Sequence, residues 1–230
     1  MITIYTICTG KYTEFFTDFY NSAEKLFLNN HEKEYIVFTD GNIPTGRNIK
    51  KIFQQKLGWP YDTMMRFHMF NAAQPRGEYV YFFNANMLLV DNVGEEVIPD
   101  ETNDYLVGVN HPGFLNKTCY DFPYERRSNS NFNIPFGYGT NYYQGCFNGG
   151  RTKEFMAMSQ ELADKIMDDL LNNIIPIWHD ESALNWYYSQ KSPLLMSSSY
   201  AYPESYNLDL PKKILQLDKS KLGGHQYLRS

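Results

Sequence analysis

Long apolar runs are absent: no window of about 18 residues or more is apolar enough to read as a membrane span. The opening residues MITIYTICTGKY carry neither a charged leader nor an extended apolar core, so they read as a strand and not as a signal peptide. Cysteine is scarce. Cys8, Cys119 and Cys146 are odd in number and form no CxxC pair, which indicates neither a disulfide framework nor a thiolate zinc site. That usage fits a reducing, cytoplasmic location. No basic run exists and the net charge is −5, which argues against nucleic acid as a partner, because that ligand demands a clustered positive footprint. A phosphate-bearing small molecule stays compatible, since a few local donors suffice. The glycine fingerprint GxGxxG is missing after the first apolar segment, so a dinucleotide site of that type is not indicated. Repeats, low-complexity tracts and linkers are missing too, and residues 1–230 read as one domain.

What is present is an ordinary globular composition, 43% apolar and 20% charged, with a surplus of Tyr (19) and Phe (16). Core packing accounts for most of that surplus, and lining for a sugar site is the alternative use, because pockets are often aromatic-lined. Residues 2–8 form an apolar strand closed by Thr9-Gly10. Apolar spacing of three and four predicts a helix over 13–28, with Thr13 as its cap. Strands are predicted over 34–39 and 49–53, a helix over 61–73 after Pro60, and a doubly buried strand over 79–83. This alternation implies an α/β fold with a parallel sheet. Ligands then gather at the carboxyl ends of the strands, near Thr9–Tyr12 and Asn84–Asn86. Residues 111–150, rich in Gly, Pro, Asn and Tyr, read as a long ordered loop that forms part of a site. Helices over 153–172 and 180–189 and a strand over 213–217 follow, and the basic, glycine-containing tail 219–230 reads as mobile.

Two short segments carry chemistry. Trp178-His179-Asp180-Glu181-Ser182 reads either as a helix N-terminus, with Asp180 the cap and Glu181 in the first turn, or as a segment that holds a carboxylate near a reacting centre, where it stabilises or captures an oxocarbenium-like carbon. The adjacent His, Asp and Glu point in different directions and make a poor metal site. Asn84-Ala85-Asn86 reads as a turn after a strand. Its neutral amides attract a divalent cation far less than carboxylates would, yet they can bond phosphate, ribose or water.

Several segments together, YIVFTD (35–40), FFNAN (82–86), HPGF (111–114), YERR (124–127), YYQGCFNGG (142–150) and WHDES (178–182), resemble glycosyltransferase family 6, the family of the histo-blood-group A and B transferases and the α-1,3-galactosyltransferase. The likeness is greatest to its short bacterial members. It implies a GT-A-like fold, a catalytic domain without the membrane anchor and stem of the vertebrate enzymes, and a mixed, mainly parallel sheet flanked by helices. It further implies that Ile7, Cys8, Thr9 and Tyr12 cradle uridine and that Arg66 lies near the nucleotide. Asn84 and Asn86 replace two metal-binding aspartates. His111, Trp178 and His179 fall at the sugar and acceptor site, and Gln144, Gly145 and Cys146 set donor choice. Glu181 matches the catalytic carboxylate that acts as nucleophile or binds the acceptor, Asp180 contacts the donor sugar, and His225 and Arg229 belong to a closing tail at the diphosphate.

On this likeness the expected partners are a UDP-sugar donor and a glycan acceptor, with no cofactor and no resident metal. The expected reaction is retaining α-1,3 transfer of galactose, or of N-acetylgalactosamine, to a galactoside. Cys146 stands where relatives that use N-acetylgalactosamine carry Gly, so galactose is favoured. The alternatives are a UDP-sugar hydrolase and a carbohydrate-binding domain that has lost catalysis.

Overall fold

Residues 1–229 are described by the structure, a computed structural model; Ser230, the last residue of the tail, lies outside the described residues. The central sheet takes seven strands: β1 (Ile2–Ile7), β2 (Lys33–Thr39), β3 (Ile49–Phe53), β4 (Tyr79–Asn84), β6 (Leu106–Asn110), β7 (Tyr143–Arg151) and β8 (Leu194–Met196). Three more, β5 (Met87–Leu89), β9 (Tyr202–Pro203) and β10 (Ile214–Gln216), form a small sheet in the order β5-β10-β9. The helices are α1 (Phe16–Leu26), α2 (Tyr61–Met64), α3 (Arg66–Asn71), α4 (Thr152–Leu171), α5 (Asp180–Tyr188) and α6 (Gly224–Arg229).

The large sheet runs β3-β2-β1-β4-β7-β6-β8. Only β7 is antiparallel to its neighbours; the rest share one direction. The strand alternation of β4 explains the two core layers. Tyr81 and Phe83 face α1, where Phe27 meets them edge to face and Phe147 stacks on them, whereas Val80 and Phe82 face α3, α4 and α5. Most of the aromatic surplus is therefore core. This is the α/β, GT-A-like architecture that the resemblance implies.

Three local expectations are corrected. Residues 10–15 form a 3-10 turn, with the Thr13 hydroxyl donating to the Gly10 carbonyl, so α1 begins only at Phe16. The helix over 61–73 is two short helices interrupted at Met65. The loop over 111–150 ends at residue 142, because 143–151 is strand β7, inserted between β4 and β6. The rest of that loop is ordered around its own small core of Phe122, Tyr124, Ile134 and Tyr142.

Candidate active site

Strand β7 is regular against β4 but irregular against β6. Gly108 pairs with Asn148 while the next residue, Val109, pairs with Gln144, so Gly145, Cys146 and Phe147 bulge out of that ladder. A bulge frees backbone groups and re-aims side chains, and the site uses both. The freed Gly145 N–H donates to Glu181 Oε1 at 2.9 Å. The Gly145 carbonyl accepts from an Arg66 guanidinium nitrogen at 2.6 Å. The same nitrogen lies 2.9 Å from Asp180 Oδ2, so Arg66 and Asp180 form a buried ion pair. Arg66 also donates to the Thr63 carbonyl and lies over the Phe82 ring, its centre 4.6 Å from the ring centroid. A Cβ on residue 145 would sit 2.5 Å from Asp180 Oδ2, so only glycine permits this approach.

Helix α5 delivers the two carboxylates. Its N-cap is His179, at φ 53° and ψ −116°, and not Asp180, whose side chain is taken by Arg66. The strained backbone of His179 is what turns the chain so that Asp180 and Glu181 both face β7. Tyr142 donates its hydroxyl to Glu181 Oε2 at 3.3 Å. Burial and the neighbouring Asp180 charge push Glu181 up to about 7. Burial also raises Asp180, and Arg66 offsets part of that rise.

Two adjoining cavities share Arg66, Asn84, Trp59, Thr63 and Arg229. The first lies at the carboxyl ends of β1 and β4 and is lined by Ile7, Thr9, Tyr12, Asn86 and Lys219. Cys8 does not line it: strand alternation turns its side chain into the core, and its backbone N–H and C=O are bonded to Phe38 and Thr39. Asn86 is 2% exposed and donates its amide to the Leu217 carbonyl at 3.0 Å. The second cavity is lined by Gln144, Gly145, Cys146, Trp178, His179 and the two carboxylates, with His225 from α6 at its edge. His111 lines neither. It packs behind Tyr142, accepts from the Gly113 N–H, and is pushed down to about 4 by burial, so it is neutral.

The tail is helical over 219–222 and 224–229 and covers the first cavity. Arg229 stacks on Trp59 and Lys219 lies over Tyr12. Burial and the charges of Arg229 and Arg66 press Lys219 down to about 8. Lys219 received no individual role from its sequence context, nor did Trp59, Thr63 or Gln216. Among the described residues no group of three or more His, Cys, Asp and Glu is placed to hold a metal ion, and no helix is long and apolar enough to cross a membrane.

A mostly parallel sheet of this order, with a cation-rich cavity at its strand ends opening onto paired carboxylates, defines a glycosyltransferase of the GT-A-like class. Residues 1–229 match the family described as Glycosyltransferase family 6, and the chain belongs to that family. It is 37% identical over 227 residues to the O-antigen biosynthesis glycosyltransferase WbnI of Escherichia coli, covering 96% of each chain. It is 31% identical to the rat Histo-blood group ABO system transferase 2, over 84% of this chain and 61% of that one. It is 29% identical to the chicken Globoside alpha-1,3-N-acetylgalactosaminyltransferase 1, over 88% of this chain and 62% of that one. The chain thus spans nearly all of the bacterial relative and about three fifths of these vertebrate ones. The protein is accordingly a hexosyltransferase, acting between a nucleotide-sugar donor and a glycan acceptor.

Proposed function

We propose that the enzyme transfers galactose from UDP-galactose to a galactoside acceptor, with retention, in α-1,3 linkage and without a metal ion. The observation that carries this reading is the placement of charge along the joined cavities: Lys219 lines the first, Arg66 and Arg229 line both where they meet, and Asp180 and Glu181 line the second. A departing diphosphate needs positive charge, and a carbon that becomes cationic needs negative charge nearby. The linkage follows the alpha-1,3 activity in the name of the globoside relative.

Metal independence is supported by donor chemistry. The Asn86 amide donates to the Leu217 carbonyl, a bond an aspartate cannot make. Neutral amides are weak ligands for a hard divalent cation, and the cations around the cavity supply the charge instead. Galactose is the preferred sugar in this reading because Cys146, packed in the core, puts a thiol in the wall of the second cavity where Gly would leave room for an acetamido group. Overpacking of this kind costs about 1–3 kcal/mol. The tail over 219–229 closes on the diphosphate.

A panel of UDP-galactose, UDP-N-acetylgalactosamine and UDP-glucose, assayed with and without galactosides in excess EDTA, tests the reading. Transfer to the galactoside is expected to exceed release of free sugar, to favour galactose and to gain little from manganese. Activity that vanishes in chelator and returns with manganese overturns the metal-free part. Sugar release without transfer makes the enzyme a hydrolase.

A further inference from the structure

One hydrogen-bonded chain in the sugar cavity is left unused by the chemistry above. Cys146 Sγ lies 3.3 Å from Gln144 Oε1, and Gln144 Nε2 lies 3.0 Å from Gln216 Oε1. All three residues line the second cavity. Gln216 comes from β10, in the small sheet, 72 residues away from Gln144 in sequence. It does not line the first cavity.

The chain has one consistent polarity. A thiol bonds a neighbouring oxygen well only as the donor, so Cys146 requires the carbonyl end of the Gln144 amide on its side. Burial raises the Cys146 thiol well above its ordinary value, which keeps that proton in place. The NH2 end of Gln144 then faces Gln216, and the Gln216 oxygen receives it. Reversing the Gln144 amide would set an N–H against the thiol and an oxygen against the Gln216 oxygen. The thiol donor favours the orientation in which the Gln144 oxygen faces Cys146 and its NH2 faces Gln216.

The platform under Gln216 is rigid. Its carbonyl accepts from the Glu204 N–H at 3.0 Å, and it pairs with Met87 across β5. The next residue, Leu217, donates its N–H to the Asn86 carbonyl at 2.9 Å and accepts from the Asn86 amide at 3.0 Å. Asn86 thus ties the floor of the first cavity to the wall of the second.

We propose that Gln216 is a specificity-determining positioning residue: by holding Gln144 across the cavity wall beside Cys146, it keeps closed the space that an acetamido group would need. This rests on the donor reading given under Proposed function. Released from Gln216, the flexible Gln144 side chain can swing aside, and the larger sugar gains room.

The test compares specificity constants for UDP-galactose and UDP-N-acetylgalactosamine in wild type, Gln216→Leu, Gln216→Ser and Gln216→Glu. Leu has no acceptor for Gln144, and the Ser hydroxyl, two carbons shorter than the Gln216 amide, does not reach it. Their galactose-to-N-acetylgalactosamine ratio is expected to fall by about two- to tenfold, the scale of one neutral hydrogen bond. UDP affinity should hold, which a merely destabilised site would not show. Gln216→Glu keeps an acceptor oxygen and is expected to hold the ratio near that of wild type, whatever happens to the absolute rates. If Leu does not fold, Ser decides in the same way. An unmoved ratio in the folded variants, or an equal shift in Glu, overturns the inference alone. Wild-type transfer of neither sugar overturns the functional reading and this inference with it.

Discussion

The two cavities meet at Arg66 and Asn84, yet they are built by opposite means. The first collects cations from distant segments, Arg66 from α3, Lys219 from the turn after β10 and Arg229 from α6, around the ends of parallel strands. These charges converge only through the tertiary fold. The second places two carboxylates on adjacent residues of one helix turn, Glu181 held by a freed N–H of the bulged strand and Asp180 by Arg66. One cavity gathers charge from separate elements, where it can receive an anion; the other fixes charge in a desolvated wall, where an electrostatic contact is worth more. Arg66 belongs to both, so its removal separates them most sharply.

Arg66→Leu leaves Asp180 buried without its partner and frees the Gly145 carbonyl. Breaking a buried pair from one side costs about 3–5 kcal/mol. Urea unfolding is expected to register a loss of that size. A change below about 1 kcal/mol would mean that the pair behaves like a surface contact. Next in size is Glu181→Gln, which keeps shape and removes charge. Turnover is expected to fall by about 10²- to 10³-fold, as when a placed electrostatic stabiliser is removed, with UDP affinity unchanged. Near-normal turnover would reduce Glu181 to a first-turn residue of α5.

The same contrast governs what could be read from the sequence. β1, β2 and β4 were legible because continuous apolar runs mark strands buried on both faces, and β3, an edge strand with Lys50 and Lys51 exposed, because apolar residues bracket its polar centre. β7 was not, because YQGCFNGGR has the composition of a loop. Its Gly149 is there for close packing: a Cβ would lie 2.6 Å from the Val80 carbonyl oxygen. The carboxylates of the acidic wall were legible because they lie in one short motif, although the bulge that holds Glu181 left no local trace. In the cationic cavity, Arg66 and Arg229 came from resemblance, whereas Lys219 and Trp59 have no periodicity that announces them. Cys8 illustrates the converse: it stands within a segment assigned to uridine, but the pleat turns it into the core.

A milder disturbance removes a cation from the first cavity alone, at Lys219, or from the wall shared by both, at Arg229. Lys219→Met and Arg229→Ala each remove a charge-assisted contact to a diphosphate. Calorimetry is expected to show UDP binding weakened by about tenfold or more in each. UDP is also expected to protect the amides of residues 219–229 from hydrogen exchange in wild type, and less so in these variants. Unchanged UDP affinity in both would remove the tail from the diphosphate site.

The smallest effect, and the one that sees both cavities at once, is the pH profile of kcat/KM, which reports groups of the free enzyme. Glu181 is raised to about 7 by burial and by Asp180, and it serves as an anion, so activity should rise as pH climbs through that value. Lys219 is lowered to about 8 by burial and by the charges of Arg229 and Arg66, and it serves as a cation, so activity should fall as pH climbs through that value. His179 and His225 are both pushed below their ordinary value by burial, so neither supplies a limb between these two. The profile is therefore expected to be a narrow bell, with about a tenfold loss per unit once pH is well outside either limb. Glu181→Gln should remove the acid limb and leave the basic one; Lys219→Met should do the reverse. Bound diphosphate stabilises the Lys219 cation, so the basic limb should move upward in kcat relative to kcat/KM. A profile flat from pH 6 to 9, or variants that shift both limbs together, would show that the two cavities do not titrate as separate walls.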